Sequence, residues 1–266
     1  MSDPRELHRF LVDLMPRLGA MARAGFENPG PVTYKRPGNP VTAVDRAIEA
    51  AARASVEGAF PDHAIVGEEM GASGGAARLR WFIDPIDGTM NFIRGIPFFS
   101  VSIGVAEGNT ILAGAVLDPL RNELFHAARG DGAMLGDVPI RIGGASDLLH
   151  AAVSMQTSAS SEFLNREGFM TALHRRAQKT RKLGTIALEL AYVAAGRMDL
   201  LIAGKGTAQA WWDIAGGWAL VEEAGGRVAD LEGEALTEAT THLVAGSPPL
   251  VEELLAMLAA SGPRRE

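Results

Sequence analysis

The chain has 266 residues, a net charge of −7 and no cysteine. That excludes disulfides, thiolate metal sites and a Cys nucleophile, and it argues against a general nucleic-acid binder. The length leaves one or two domains open, and the ordinary globular composition excludes a disordered or fibrous chain.

Leu7, Phe10, Leu11, Leu14, Leu18 and Met21 recur at helical spacing, with Pro16 expected to kink or restart the helix. The start lacks a basic segment leading into an apolar run, so no signal peptide is expected. No apolar run reaches bilayer length, and the absence of cysteine suits a reducing cytoplasm. A polar Gly/Pro-bearing stretch at 27–40 reads as a loop. Thr42-Ala-Val-Asp45 has the form of a capping box and opens a helix to about Gly58. Short apolar runs at 64–66, 81–83, 99–105, 111–117, 123–127 and 139–142 predict a mostly antiparallel sheet, with Asn109 in one of its turns.

Beyond about residue 150 the rhythm becomes α/β. Strands are expected at 152–155, 200–203 and 242–245. Helices are expected at 162–178, 185–195 and 212–224, with a last one opening at Pro248-Pro249 and ending near Ala260. The division is placed near Ser146, giving an α+β unit at 1–145 and an α/β unit at 146–266.

Trp81-Phe-Ile-Asp84-Pro-Ile-Asp87-Gly-Thr89 carries the most chemistry. An apolar strand ends at one Asp, and a second follows three residues later. Two such carboxylates repel unless a cation lies between them, and oxygen-only donors suit Mg²⁺ better than Zn²⁺. Taken alone, the segment also fits an ordinary turn with solvated acids. Glu68-Glu69 follows a strand through Gly67, Asp213 opens a helix, and Asp45 sits in its capping box. Each of these has a structural explanation of its own.

Together the segments are specific. Val41-Thr-Ala-Val-Asp45, Gly67-Glu-Glu69, Trp81 to Phe92, Trp212-Asp-Ile-Ala-Gly-Gly217 and Glu223-Ala-Gly-Gly226 stand in one order, with Gly95-Ile-Pro and Gly184-Thr185 between them. In these segments the chain resembles the inositol monophosphatase family of lithium-sensitive, Mg²⁺-dependent phosphatases. The resemblance implies a layered αβαβα sandwich with mixed sheets, of the inositol monophosphatase and fructose-bisphosphatase type. It implies hydrolysis of a small phosphate monoester by water, with inositol monophosphate as default substrate and no phosphoenzyme.

By the same resemblance, Glu68, Asp84, Asp87, Asp213 and the Ile86 carbonyl hold two or three Mg²⁺ ions. Thr89, paired with Asp45, orients or deprotonates the water, unless Glu68 is the base. Ile86, Asp87, Gly88, Thr89, Gly184, Thr185 and Asp213 meet the substrate. Gly88 and Thr89 present backbone N–H groups to the phosphate ahead of a short helix at 90–93. A homodimer is expected, and a regulatory protein partner is an alternative role. The pattern departs from the family at Met90, where Thr is usual, and at Asn39, where Asp is common. It departs again at Ala203, where inositol-phosphate binders carry a Glu, and in the following 204–210 stretch with Lys205. Fructose 1,6-bisphosphate, adenosine 3′,5′-bisphosphate and histidinol phosphate are therefore alternative substrates.

Other signals carry less. Gly71-Ala-Ser73-Gly-Gly75 matches a nucleophile-elbow pattern, but no helix is expected directly after it. The basic run 174–182 reads as a solvated helix end, or as a surface that attracts anions or a partner. The histidines lack metal spacing, and Trp211 and Trp212 read as core anchors.

Overall fold

The computed structural model describes residues 3–75, 77–157, 168–204 and 211–261. Helix α1 (Pro4–Glu27) begins at an Asp3 cap and continues through Pro16 as one element, so the helix does not restart there. A mid-helix proline costs about 3 kcal/mol. The buried row Leu7, Leu11, Leu14, Met15, Leu18 and Ala22 offsets that cost. The polar stretch after it is not simply a loop, because β1 (Thr33–Arg36) and β2 (Asn39–Val41) pair there as a small antiparallel hairpin. Helix α2 (Ala43–Ala59) opens with the expected capping box, Thr42 to Val44 N and Asp45 to Thr42 N.

The strands β3 (Ala64–Gly67), β4 (Gly71–Ser73), β5 (Leu79–Asp87), β6 (Ser100–Glu107), β7 (Thr110–Asp118), β8 (Glu123–Ala128), β9 (Gly132–Leu135) and β10 (Val138–Ile140) form one sheet. Its order is β10-β9-β8-β7-β6-β5-β3-β4, and all its neighbours are antiparallel except β3 and β5. The short helix α3 (Thr89–Ile93) follows β5.

A second sheet has the order β12-β11-β13-β15-β14. It comprises β11 (Ala152–Thr157), β12 (Lys179–Arg181), β13 (Leu200–Gly204), β14 (Arg227–Ala229) and β15 (His242–Gly246). Strands β12, β11 and β13 are parallel, and β15 is antiparallel to β13 and β14. Helices α4 (Phe169–Arg176), α5 (Ile186–Ala194), α6 (Trp211–Glu223) and α7 (Pro248–Ala260) complete the chain. The helix expected over 162–178 is α4 where it is described. Its expected first turns lie outside the described residues, and its expected last two residues, Ala177 and Gln178, have already left the helix and lead into the edge strand β12.

The result is five layers. α1 and α2 cover one face of the large sheet, α5 and α6 lie between the two sheets, and α7 backs the small one. One apolar core joins Phe82, Val116 and Phe125 of the first sheet to Trp211, Leu220, Leu201 and Leu243. Helix α6 comes unusually close to the large sheet. A side chain at Gly104 would collide with Ala215, and one at Gly216 would stand 2.6 Å from Ser102 Oγ. This close approach brings the first turn of α6 to the end of β5.

Candidate metal centre and active site

Three carboxylates converge. Glu68 follows β3, Asp84 lies near the end of β5 and Asp213 stands in the first turn of α6, and each offers an oxygen within 4.8 Å of the others. Asp84 and Asp213 are buried. The neighbouring strands β3 and β5 run parallel, so Glu68 and Asp84 leave the sheet at the same edge. Burial, and then the charge of Asp213, push the Glu68 carboxyl above its ordinary range. An all-oxygen donor set of mutually repelling acids, two of them buried, fits a hard divalent cation such as Mg²⁺.

Lys35 reaches this cluster from β1. Its Nζ lies 2.9 Å from Glu68 Oε1 and 2.7 Å from Glu69 Oε1. Burial lowers the Lys35 pKa, but bonding to Glu69 and Glu68 outweighs it, and the net shift is upward. Sequence reasoning missed Lys35, since a lone lysine in a Gly/Pro-bearing stretch carries no signal until a hairpin folds it back.

The turn after Asp84 is tightly held. Asp84 Oδ1 accepts from Ile86 N at 3.0 Å. Gly88 adopts φ +90, and a side chain there would strike Thr185. The Thr89 hydroxyl has one proton and two acceptors, Ile86 O at 3.0 Å and Asp45 Oδ1 at 3.3 Å. The fully buried Asp45 also accepts from the Thr42 hydroxyl at 2.5 Å. Burial raises its pKa, and the Thr42 and Thr89 hydrogen bonds oppose that rise. The Ile86 carbonyl keeps a second lone pair.

Asp87 is not one of the three converging acids. Its Oδ2 accepts from Ala187 N at 2.7 Å, at the start of α5. Asn91 Nδ2 donates to Leu183 O at 2.7 Å and to Phe98 O at 2.8 Å, which ties the 183–185 turn to the 88–91 turn. Gly184 lies against Asn91, and the buried Thr185 hydroxyl has no hydrogen-bond partner among the described residues. Behind this turn the fully buried Glu189 accepts from Ser154 Oγ, Gln156 Nε2 and Thr185 N. Burial raises its pKa above the ordinary carboxylate value.

Ala203 is buried in β13, in register with Gln156 of β11. Lys205 and the rest of the 205–210 segment lie outside the described residues. Ser73 is no elbow nucleophile, since its hydroxyl accepts from Arg53 Nη1 at 3.0 Å on the edge strand β4. The basic run is exposed along the end of α4 and β12. No helix among the described residues is long and apolar enough to cross a membrane.

Comparison with known proteins agrees with this architecture. The model of the inositol monophosphatase family matches residues 3–263. A protein named Nus factor SuhB from Pasteurella multocida is 39% identical over 226 residues, covering 84% of each chain. Inositol monophosphatase 1 of Solanum lycopersicum is 34% identical over 94% of this chain and 93% of its own. The crystal structure of the extragenic suppressor protein suhB from Bartonella henselae superposes with a TM-score of 0.88. It shares 30% identity over 95% of this chain and 98% of that one. The chain, with its mixed sheets, layered helices and converging acids, belongs to the inositol monophosphatase family.

Proposed function

We propose that this protein is a Mg²⁺-dependent phosphomonoesterase acting on a small phosphorylated metabolite, with inositol monophosphate as the default substrate. The observation that carries this reading is the convergence of Glu68, Asp84 and Asp213 beside the Gly88-Thr89 turn. These three acids, with Asp87 and the Ile86 carbonyl, hold two or three Mg²⁺ ions. The ions supply charge neutralisation for the phosphate and acidify the attacking water.

The chain's own groups do the rest. Thr89 gives its proton to Asp45 and presents its lone pairs to the water, drawing that water's proton away from the phosphorus. The backbone N–H groups of Gly88 and Thr89 face the phosphate, and Gly184 and Thr185, packed against Gly88 and Asn91, extend the same wall. Attack is direct, with no phosphoenzyme.

The substrate's organic part is less constrained. The buried Ala203 offers no acceptor for a sugar hydroxyl, so fructose 1,6-bisphosphate, adenosine 3′,5′-bisphosphate and histidinol phosphate remain competing substrates. Phosphate release from these compounds and inositol 1-phosphate, with and without Mg²⁺, tests the reading, with Asp84→Asn as control. Mg²⁺-dependent release that Asp84→Asn abolishes is expected. Equal release by Asp84→Asn would refute the assignment of the metal site.

A second reading is favoured by the relatives named Nus factor and by the exposed basic residues Arg175, Arg176, Lys179, Arg181 and Lys182. In it the protein, a cytoplasmic homodimer, also docks a regulatory protein or nucleic-acid partner through that edge. Partner capture unchanged by alanine at Arg175, Arg176 and Lys179 would eliminate this edge as the docking surface.

A further inference from the structure

Helix α2 carries three ionisable side chains on its buried face at intervals of four residues. They are Asp45, Glu49 and Arg53, and their relative exposures are 0%, 0% and 6%. Such spacing stacks them along one stripe of the helix. Each grips a different piece of the surroundings. Asp45 accepts from Thr89. Glu49 Oε2 accepts from Glu69 N at 2.7 Å, and Glu49 Oε1 accepts from Met70 N at 3.0 Å. Arg53 donates to Glu49 Oε1 at 2.8 Å, to Ser73 Oγ and to the Gly71 carbonyl.

A buried ion pair of this kind is a poor source of stability. Desolvation opposes it, and well-packed apolar side chains of similar volume serve as well or better. What Glu49 adds is geometry. Its carboxylate binds two successive amides of the turn that carries Glu68, and Glu68 N itself bonds Ile83 O at 3.1 Å. The turn can approach so closely because residue 67 is glycine, where any side chain would collide with the Glu49 carboxylate.

We propose that Glu49 is the positioning residue for the metal ligand Glu68. It clamps the 67–70 turn to the same rigid helix that holds Asp45 and so fixes the Glu68 carboxylate against Asp84 and Asp213. The inference rests on the metal-centre reading of the preceding subsection. Groups that orient ligands from behind typically affect metal affinity by about 10- to 100-fold when removed.

The experiment measures Mn²⁺ binding by electron paramagnetic resonance on the full chain. The variants are Glu49→Gln, which keeps the volume, Gly67→Ala, which displaces the carboxylate from the other side, and Asp84→Asn. Thermal unfolding is recorded for each. Glu49→Gln and Gly67→Ala are expected to weaken Mn²⁺ binding by about 10-fold or more. The Mg²⁺ concentration for half-maximal phosphate release should rise by a similar factor, and excess metal should restore activity. A purely structural role would lower the unfolding temperature and leave metal affinity untouched, and a folded Glu49→Gln protein with wild-type Mn²⁺ affinity would overturn the proposal. Should Glu49→Gln not fold, Gly67→Ala is read for the same two outcomes. Loss of Mn²⁺ in Asp84→Asn with full binding in Glu49→Gln sinks the positioning role alone. Full binding in Asp84→Asn sinks the metal centre and the positioning role together.

Discussion

Thr89 has one hydroxyl proton and two oxygens competing for it, the Ile86 carbonyl and the Asp45 carboxylate. In the proposed mechanism, donation to Asp45 would leave the Thr89 lone pairs to receive a proton from water, and the side chain would act on the rate rather than on binding. Thr89→Ala is expected to lower kcat by about 100-fold with KM within a few-fold, and Thr89→Ser to recover most of it. A matching rise in KM with kcat intact would assign Thr89 to substrate binding instead. Asp84 and Asp213, which the fold brings together with Glu68, were legible through the order of the segments that carry them, since each alone also reads as a turn acid or a helix cap. Lys35 and Glu49 were not. A lone Lys in a polar stretch and a Glu in an Ala-rich helix both read as solvated, and only folding brings Lys35 to the acids and buries Glu49. The available signal for Glu49 was its spacing, four residues after Asp45 on the face that also carries Ile48, Ala52 and Val56.

Among the elements, α6 is the most demanding. Its apolar stretch and Gly225-Gly226 stop were visible in sequence, but its depth against the large sheet was not, because depth depends on side chains that are missing. At Gly216 an added methyl would stand 2.6 Å from Ser102 Oγ and 3.0 Å from the Ala115 carbonyl. Gly216→Ala is expected to cost about 1–3 kcal/mol despite alanine's better helix propensity. It should also raise the Mg²⁺ concentration needed for activity, because Asp213 moves with the helix. An unchanged melting temperature together with unchanged metal dependence would show that α6 tolerates the shift. The hairpin of β1 and β2 was illegible for a different reason. All four β1 residues are exposed, so no alternation marks the strand. The restart allowed for at Pro16 does not occur, since the buried leucines around it outweigh one missing hydrogen bond.

At the scale of the whole molecule, stability responds to pH through buried groups of opposite sign. His8 Nε2 and His126 Nδ1 lie 2.7 Å apart and join α1 to β8, while His126 Nε2 bonds the Gly136 carbonyl at 2.9 Å. This network assigns the Nε2 proton to His126 and makes its Nδ1 the acceptor from His8. Burial holds both imidazoles below their usual pKa, with the neighbouring His126 adding to the effect on His8. Their stabilisation is present above about pH 6.5 and is lost as pH falls through the lowered values. Asp45 and Glu189 are raised, so their contribution runs the other way, present under strong acid and lost as pH rises through the raised values. The histidines therefore lower the melting temperature at about pH 5 relative to about pH 7 while the raised acids oppose them, and His8→Gln with His126→Gln is expected to raise the melting temperature at about pH 5 relative to about pH 7 compared with the parent. An equally steep acid limb in the double variant would place the sensitivity elsewhere.

The approach of α6 to the large sheet also sets a timetable. Glu68, just after β3, and Asp84, in β5, are made early in synthesis, and Asp213 belongs to a helix made late. Until α6 leaves the ribosome and docks, the growing chain carries only two of the three acids. The nascent protein therefore presents its first sheet without a complete cation site. On the proposed metal reading, the third acid joins the other two only when the glycine-lined contact between α6 and the sheet closes.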